Sequence, residues 1–291
     1  MIVVTTPTGQ IGRHVLAQLV AAGEPVRAVA RDRTRIAPEL LAKVEVVEGS
    51  HEDPATIGKA LDGAESVFWC VPPDFGVANV RDYYLDFTRP FAAALAGSAV
   101  RRVVFVSSGG RGWPRDAGVT SDAHAVEELL EATGVPLRAL RCGSFMENMF
   151  YQVEPLRHQG MFFYPIDGDI VTRVCATRDI ATRAADLLRD RSWTGGTGAD
   201  VHGPADLSFN EMARVMTRVL GRPIRYQQVP ESAYQASLVE HGASEAMAQS
   251  LVDMWREIAA GLHAADPRTP ESTTPTTFEA WCRDTLKPAM G

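Results

Sequence analysis

With 291 residues and 45% hydrophobic content, the chain can form one large domain or two smaller ones around a buried core. A formal net charge of −7 argues against nucleic-acid binding through a basic face. No apolar run approaches the roughly 20 residues that span a bilayer, so no membrane partner is expected.

The chain opens with a short β-branched run, Ile2-Val3-Val4. Thr5-Thr6-Pro7-Thr8-Gly9-Gln10-Ile11-Gly12 follows, then an apolar-periodic helix through Val15, Leu16, Leu19 and Val20. A second apolar run, Val26 to Ala30, ends at the basic group Arg31, Arg33 and Arg35. Strand, glycine turn, helix and strand in this order are the parts of a nucleotide-binding βαβ unit. The pyrophosphate is expected against the backbone amides and the positive end of the helix that Gly9 to Gly12 opens. Thr6 stands where the fingerprint has its first glycine. At the end of the second strand an acidic residue selects a free ribose 2′-hydroxyl and an Arg selects a 2′-phosphate. Arg31 takes that place, with Asp32 as its rival, so NADP(H) is expected in preference to NAD(H).

Strand-like and helix-period segments then alternate: Val44 to Val47, a helix over 54–61, and Ser66 to Val71, stopped by Pro72-Pro73. A helix over 80–97 leads to a strand at 103–108, a helix over 124–133 ends at Gly134, and 136–140 reads as a sixth strand. This rhythm predicts an α/β fold, a Rossmann-like doubly wound parallel sheet. Ligands of such sheets bind at the carboxyl ends of the strands. The expected coenzyme residues are therefore Thr6, Thr8, Gly9, Gln10, Ile11, Gly12, Arg31, Arg33, Ser50, His51, Cys70, Val71, Pro72, Ser107, Cys142 and Gly143.

Past residue 145 the rhythm loosens. Helices are expected over 180–188, 208–220 and 244–259, a short strand over 226–229, and a terminal helix over 278–286 after a Thr/Pro-rich tract. Residues 1–145 thus read as the NAD(P)-binding domain. Residues 146–291 read as a small α+β cap that holds the substrate, with some elements returning to the sheet.

Only three of the 29 basic residues are lysines (Lys43, Lys59 and Lys287), and none lies four residues after a tyrosine. The Tyr-x-x-x-Lys acid/base pair of short-chain dehydrogenases is therefore absent. No nucleophile elbow with Ser-His-Asp order is visible, and no His or Cys spacing suggests a metal. Cys70, Cys142, Cys175 and Cys282 are scattered and read as free thiols in a reducing cytoplasm, the expected location. An acceptor oxygen that gains charge during hydride transfer needs a hydrogen-bond donor. His124, Ser108 and Asn148 are the candidate catalytic groups, with Ser107 beside them; a helix-start histidine, a strand-end turn and a loop-holding Asn are the bland alternatives. Aromatic and methionine side chains cluster just past the sixth strand. Phe145, Met149, Phe150 and Tyr164, with Pro73 and Phe75, are the candidate walls for a flat conjugated substrate; ordinary core packing is the alternative for about half of them.

Several of these segments together resemble the NmrA-like group of atypical short-chain dehydrogenase/reductases, which includes NADPH:quinone reductase-like and triphenylmethane reductase-like enzymes. They are Thr8 to Gly12, Val100 to Ser108, Glu127 to Val135, Leu140 to Asn148, Arg178 to Ala181 and His202 to Ser208. The likeness covers roughly residues 1–260 and rests on the order and spacing of these segments. It departs at Thr6, at Gly49-Ser50 where the family has Gly-Asp, and at His124, which lies three residues before Glu127 and four before Glu128. The resemblance implies a Rossmann-like domain, a small C-terminal cap and bound NADP(H), and leaves a homodimer open. The expected function is an NADPH-dependent oxidoreductase reducing a planar conjugated carbonyl or quinone. The alternatives are a non-catalytic dinucleotide sensor acting through a partner protein, and a natural-product reductase, epimerase or dehydratase.

Overall fold

The computed structural model describes residues 1–291. Its first half runs β1 (Ile2–Thr5), α1 (Gly12–Ala21), β2 (Val26–Ala30), α2 (Pro38–Leu41), β3 (Glu45–Glu48), α3 (Pro54–Leu61) and β4 (Ser66–Trp69). It continues through α4 (Val80–Leu95), β5 (Arg102–Ser108), α5 (Val119–Glu131) and β6 (Leu137–Cys142). The second half contains β7 (Ser144–Phe145), α6 (Val153–Gln159), β8 (Met161–Tyr164), β9 (Val171–Cys175), α7 (Thr177–Arg189) and β10 (Thr197–Val201). It ends with β11 (Asp206–Ser208), α8 (Phe209–Leu220), β12 (Arg225–Gln228), α9 (Glu231–Glu240), α10 (Glu245–Ala259) and a helical segment over residues 278–290.

Seven strands form one parallel sheet in the order β10-β6-β5-β4-β1-β2-β3. The order reverses between β1 and β4, the switch point at which such sheets leave a crevice for a ligand. Thr5 pins this point: its hydroxyl donates to the Phe68 carbonyl at 2.9 Å and accepts from the Cys70 amide at 3.2 Å. Alternation along each strand supplies both faces of the sheet. Val4, Phe68 and Val104 pack under α1 and α7, against Val15, Leu16, Leu19, Ile180 and Leu188. Val3, Val67 and Trp69 pack on the other face against Ile57, Phe87, Phe91, Val126 and Leu130 of α3, α4 and α5.

The cap has its own core. Tyr164, Phe162, Phe209, Met212, Met216, Trp255 and Trp281 form one buried cluster between the two-stranded β12-β8 sheet, the three-stranded β11-β9-β7 sheet and helices α8 and α10. The chain crosses between the two halves, because α7 packs on α1 and β10 pairs with β6 as the outermost strand.

Three expectations are corrected. Helix α5 starts at Val119 rather than His124: Gly118 at φ +55 opens it without a side-chain cap, and Val119-Thr120-Ser121 are weak helix formers that hid its first turn. The terminal helix does not stop at 286 but continues through a π-turn at Cys282–Leu286 to Met290. Strands β7 to β11 and helices α2, α6 and α9 lie where the sequence pattern places no element.

Candidate coenzyme and substrate site

The turn after β1 is built to bring a helix start close to a ligand. Thr6 takes φ +50 and is the only non-glycine residue of the chain with positive φ. The backbone therefore adopts the left-handed conformation that the missing glycine would have adopted, at a cost of roughly 1 kcal/mol. The Thr6 carbonyl accepts from the Gly9 amide at 2.9 Å. A Cβ on Gly12 would lie 2.0 Å from that carbonyl oxygen, so only glycine fits there. Ile11 caps α1 without a side-chain bond, and the amides of Gln10, Ile11 and Gly12 make no hydrogen bond within the chain. Three free donors at the positive end of a ten-residue helix fit a pyrophosphate. Thr8 and Gln10 face outward, whereas the Ile11 side chain is buried in the core and offers only its backbone.

At the end of β2, Arg31 and Arg33 are exposed. The rival carboxylate is engaged: Asp32 accepts from the Thr34 amide at 2.9 Å and the Thr34 hydroxyl at 2.6 Å, which holds its pKa below the usual value. The arginines remain as the open rim. Beyond β3, Ser50 is half-buried and bonds Glu52 at 3.1 Å. His51 does not face this rim. It is buried, its Nε2 donates to the Cys70 carbonyl at 3.0 Å, and its ring stands edge-on to Trp69 and Phe87, with centroids 5.1 and 4.6 Å away. Burial lowers its pKa to about 4, so the ring is neutral at pH 7 and pins the end of β4. Val71 is buried, Pro72 offers its carbonyl to the Tyr83 hydroxyl at 2.9 Å, and Pro73 is exposed. Burial raises the Cys70 thiol to about 11, which makes it unreactive at neutral pH.

The end of β5 divides its two serines. Ser107 is buried, and its hydroxyl donates to Glu127 Oε2 at 2.9 Å. Glu127 is completely buried and also takes Arg141 Nε at 3.2 Å. The Ser107 hydroxyl thus belongs to a buried ion network. Ser108 is partly exposed, with its carbonyl 2.9 Å from His124 Nε2 and its hydroxyl 3.2 Å from Thr120 Oγ1. A carbonyl can only accept, so His124 carries its proton on Nε2. Burial lowers the His124 pKa, which leaves the ring neutral and Nδ1 an acceptor. His124 therefore has no second proton to give, and Ser108 and Asn148 remain as donors.

Cys142 is buried, and its carbonyl accepts the Gly109 amide at 2.9 Å. Gly143 allows a close crossing, since a Cβ there would lie 2.7 Å from the Arg173 carbonyl. Next along the chain, buried Glu147 accepts from the Thr177 amide at 2.9 Å and from Trp281 Nε1 at 3.0 Å. This anchor fixes the 3-10 turn (Met146–Gln152) that carries Asn148.

Phe145, Asn148, Met149 and Tyr164 line one cavity with Trp255 and Phe278. Its volume is about 20 Å³, room for a single water. Tyr164 stacks on Phe209 at 4.7 Å, Met149 is equally buried, and Phe150 packs 5.9 Å from Trp281. For these three the core-packing alternative describes what the side chains do. Phe75 meets Tyr151 edge-on at 5.8 Å, and Tyr151 is 65% exposed. Thr120, Glu127 and Tyr151 were not among the expected site residues. Only Glu127 and Tyr151 had a signal, in the motif and the aromatic cluster that contain them.

The NmrA-like family model matches residues 1–281 of this sequence. The chain belongs to the NmrA-like family. Its relatives include the (4-alkanoyl-5-oxo-2,5-dihydrofuran-3-yl)methyl phosphate reductase of Streptomyces griseus, 32% identical over 82% of this chain and 80% of that protein. The NAD(P)H azoreductase of Xenophilus azovorans is 29% identical over 88% and 86%. In fold the chain is similar to an NADPH-dependent quinone oxidoreductase of Escherichia coli solved with NADPH, with a TM-score of 0.80, 21% identity and coverage of 96% and 97%. This NmrA-like chain thus keeps the doubly wound sheet and places its one left-handed threonine at the fingerprint turn. No helix is long and apolar enough to cross a membrane, and no three His, Cys, Asp or Glu side chains cluster as metal ligands would.

Proposed function

We propose that this protein is an NADPH-dependent reductase of a planar conjugated carbonyl compound. The observation that carries the reading is the start of α1, where three unpartnered amides and Gly12 form a pyrophosphate seat one strand away from the Arg31 rim. Gln10, Ile11 and Gly12 would hold the pyrophosphate, and Arg31 with Arg33 a 2′-phosphate, for which the guanidinium fork is suited. When bound, this coenzyme supplies a hydride. Ser108 and Asn148 would offer donors to the acceptor's oxygen, Phe145 a flat apolar wall, and the exposed Tyr151 with Phe75 further aromatic surface. The Streptomyces relative supports the acceptor class. Its name describes a dihydrofuranone whose ring C=C is conjugated to the ring carbonyl and to an alkanoyl group. The quinone and azo compounds implied by the other relatives' names are likewise planar and conjugated.

The test is coenzyme oxidation followed by absorbance, with acyl-butenolides, quinones, enones and azo dyes as acceptors and NADH run in parallel. Turnover faster with NADPH supports the reading. Tight NADPH binding without consumption by any acceptor favours a second reading, a dinucleotide sensor. The cavity of about 20 Å³, too small for a substrate as it stands, is the observation on that side.

A further inference from the structure

Helix α5 holds Ser108 twice. His124 bonds its carbonyl at 2.9 Å, and Thr120 Oγ1 lies 3.2 Å from its hydroxyl. Thr120 and His124 are four residues apart, so one face of the helix fixes both the backbone and the side chain of this strand-end residue.

The two hydroxyls are not equivalent. Thr120 is 4% exposed, whereas Ser108 is partly exposed at the carboxyl end of β5. The pair holds two hydroxyl protons, and neither oxygen has another partner in the chain, so one O···O contact uses one proton. If Ser108 donated, the Thr120 proton would be stranded in a buried site without an acceptor. If Thr120 donates, every buried donor is satisfied and the Ser108 proton is free on the exposed side.

We propose that Thr120 is a positioning residue that donates to Ser108 Oγ and so presents the Ser108 proton to the acceptor's carbonyl oxygen. Thr120 touches no substrate, and Ser108 is the catalytic donor. His124 serves the same end by fixing the Ser108 backbone, with its own proton spent on that carbonyl. The Tyr-Lys pair that this chain lacks is replaced by a hydroxyl relay of two residues. The assignment rests on the reductase reading above.

The test compares wild type, Thr120→Val, Thr120→Ser, Ser108→Ala and the double variant Ser108→Ala/Thr120→Val. The readouts are kcat for NADPH oxidation, NADPH affinity by titration, and melting temperature. Ser108→Ala should lower kcat about a hundredfold, the scale of losing one oxyanion donor, and Thr120→Val about tenfold. NADPH affinity should stay unchanged in both, and Thr120→Ser should restore most of the rate. In the Ser108→Ala background, Thr120→Val should cost nothing further, because its effect passes through Ser108. A merely structural Thr120 would lower the melting temperature and give independent losses. Unchanged kcat in Thr120→Val, or losses that multiply in full, overturns the Thr120 assignment alone. Absence of wild-type turnover with every acceptor overturns the reductase reading itself. Should Thr120→Val not fold, Thr120→Ala, which adds no volume, answers the same question.

Discussion

In the coenzyme half, the groups that would meet a ligand are mostly backbone: the amides of Gln10, Ile11 and Gly12, placed by a turn whose shape Thr6 and Gly12 determine. In the cap they are side chains, and most are shared with the core: Met149 and Tyr164 line the cavity while packing against Phe209 and Trp255. A backbone seat recognises what is common to all dinucleotides and tolerates change around it. A seat made of core side chains specifies shape, and a substitution there alters stability and specificity together. One family can therefore keep one coenzyme site while its acceptors vary.

The largest expected effect lies in the cap. Tyr164→Ala removes a fully enclosed aromatic ring and should lower stability by roughly 3–5 kcal/mol. Denaturant unfolding measures the loss; NADPH affinity, read in the same sample, should stay near the wild-type value. Equal loss of both would mean that the two halves are not separable in this way.

That separation also governs what the sequence reveals. Strands β1, β4 and β5 are legible because each is a β-branched or aromatic run that is largely buried, whereas β3 and β6 are read from their place in the alternation with helices. Strand β10, Thr197-Gly-Ala-Asp-Val, has no such run; pairing with β6 makes it a strand, and Gly198 leaves room for the Arg141 guanidinium, which a Cβ would approach to 2.4 Å. The cap's aromatic residues are legible as a cluster, but which of them face a cavity depends on tertiary stacking. A strand end can be read from sequence but side-chain direction cannot: Ser107 and Ser108 are adjacent, yet one hydroxyl meets the buried Glu127 carboxylate and the other the Thr120 hydroxyl.

Acid should weaken both halves alike. His51 in the sheet half has its pKa lowered from 6.5 to about 4, and His202, under the Thr/Pro-rich strap of the cap, likewise to about 4. Burial is the main cause for both, and Arg173 and Arg268 add to it at His202. Their folded values lie below the unfolded ones, so the unfolded chain binds more protons between these limits. Stability is complete above about pH 6.5 and falls as pH drops toward 4, by about 1.4 kcal/mol per unit for each group. Urea unfolding across that range should show the slope, and His51→Gln should reduce it; an unaltered slope would remove His51 from the account.

A smaller effect tests the rim. Arg31→Ala should weaken NADPH about ten- to a hundredfold, the scale of a lost charge-assisted contact, and leave NADH nearly unchanged. Parallel loss for both coenzymes would show that Arg31 does not meet a 2′-phosphate. Smallest of all, Thr6→Gly relieves roughly 1 kcal/mol of backbone strain but adds unfolded-chain entropy of similar size, so the melting temperature should move by no more than a few degrees. A large fall would mean that the threonine side chain itself holds the turn.

The most direct test of the central claim is the oxidation of 4-deuterated NADPH and NADH, side by side, by an acyl-butenolide, with the product examined for label. The account predicts kcat/KM at least about tenfold higher with NADPH and deuterium on the ring carbon of the reduced product. Equal rates with both coenzymes, or no consumption of either by this or any other conjugated acceptor, would contradict it.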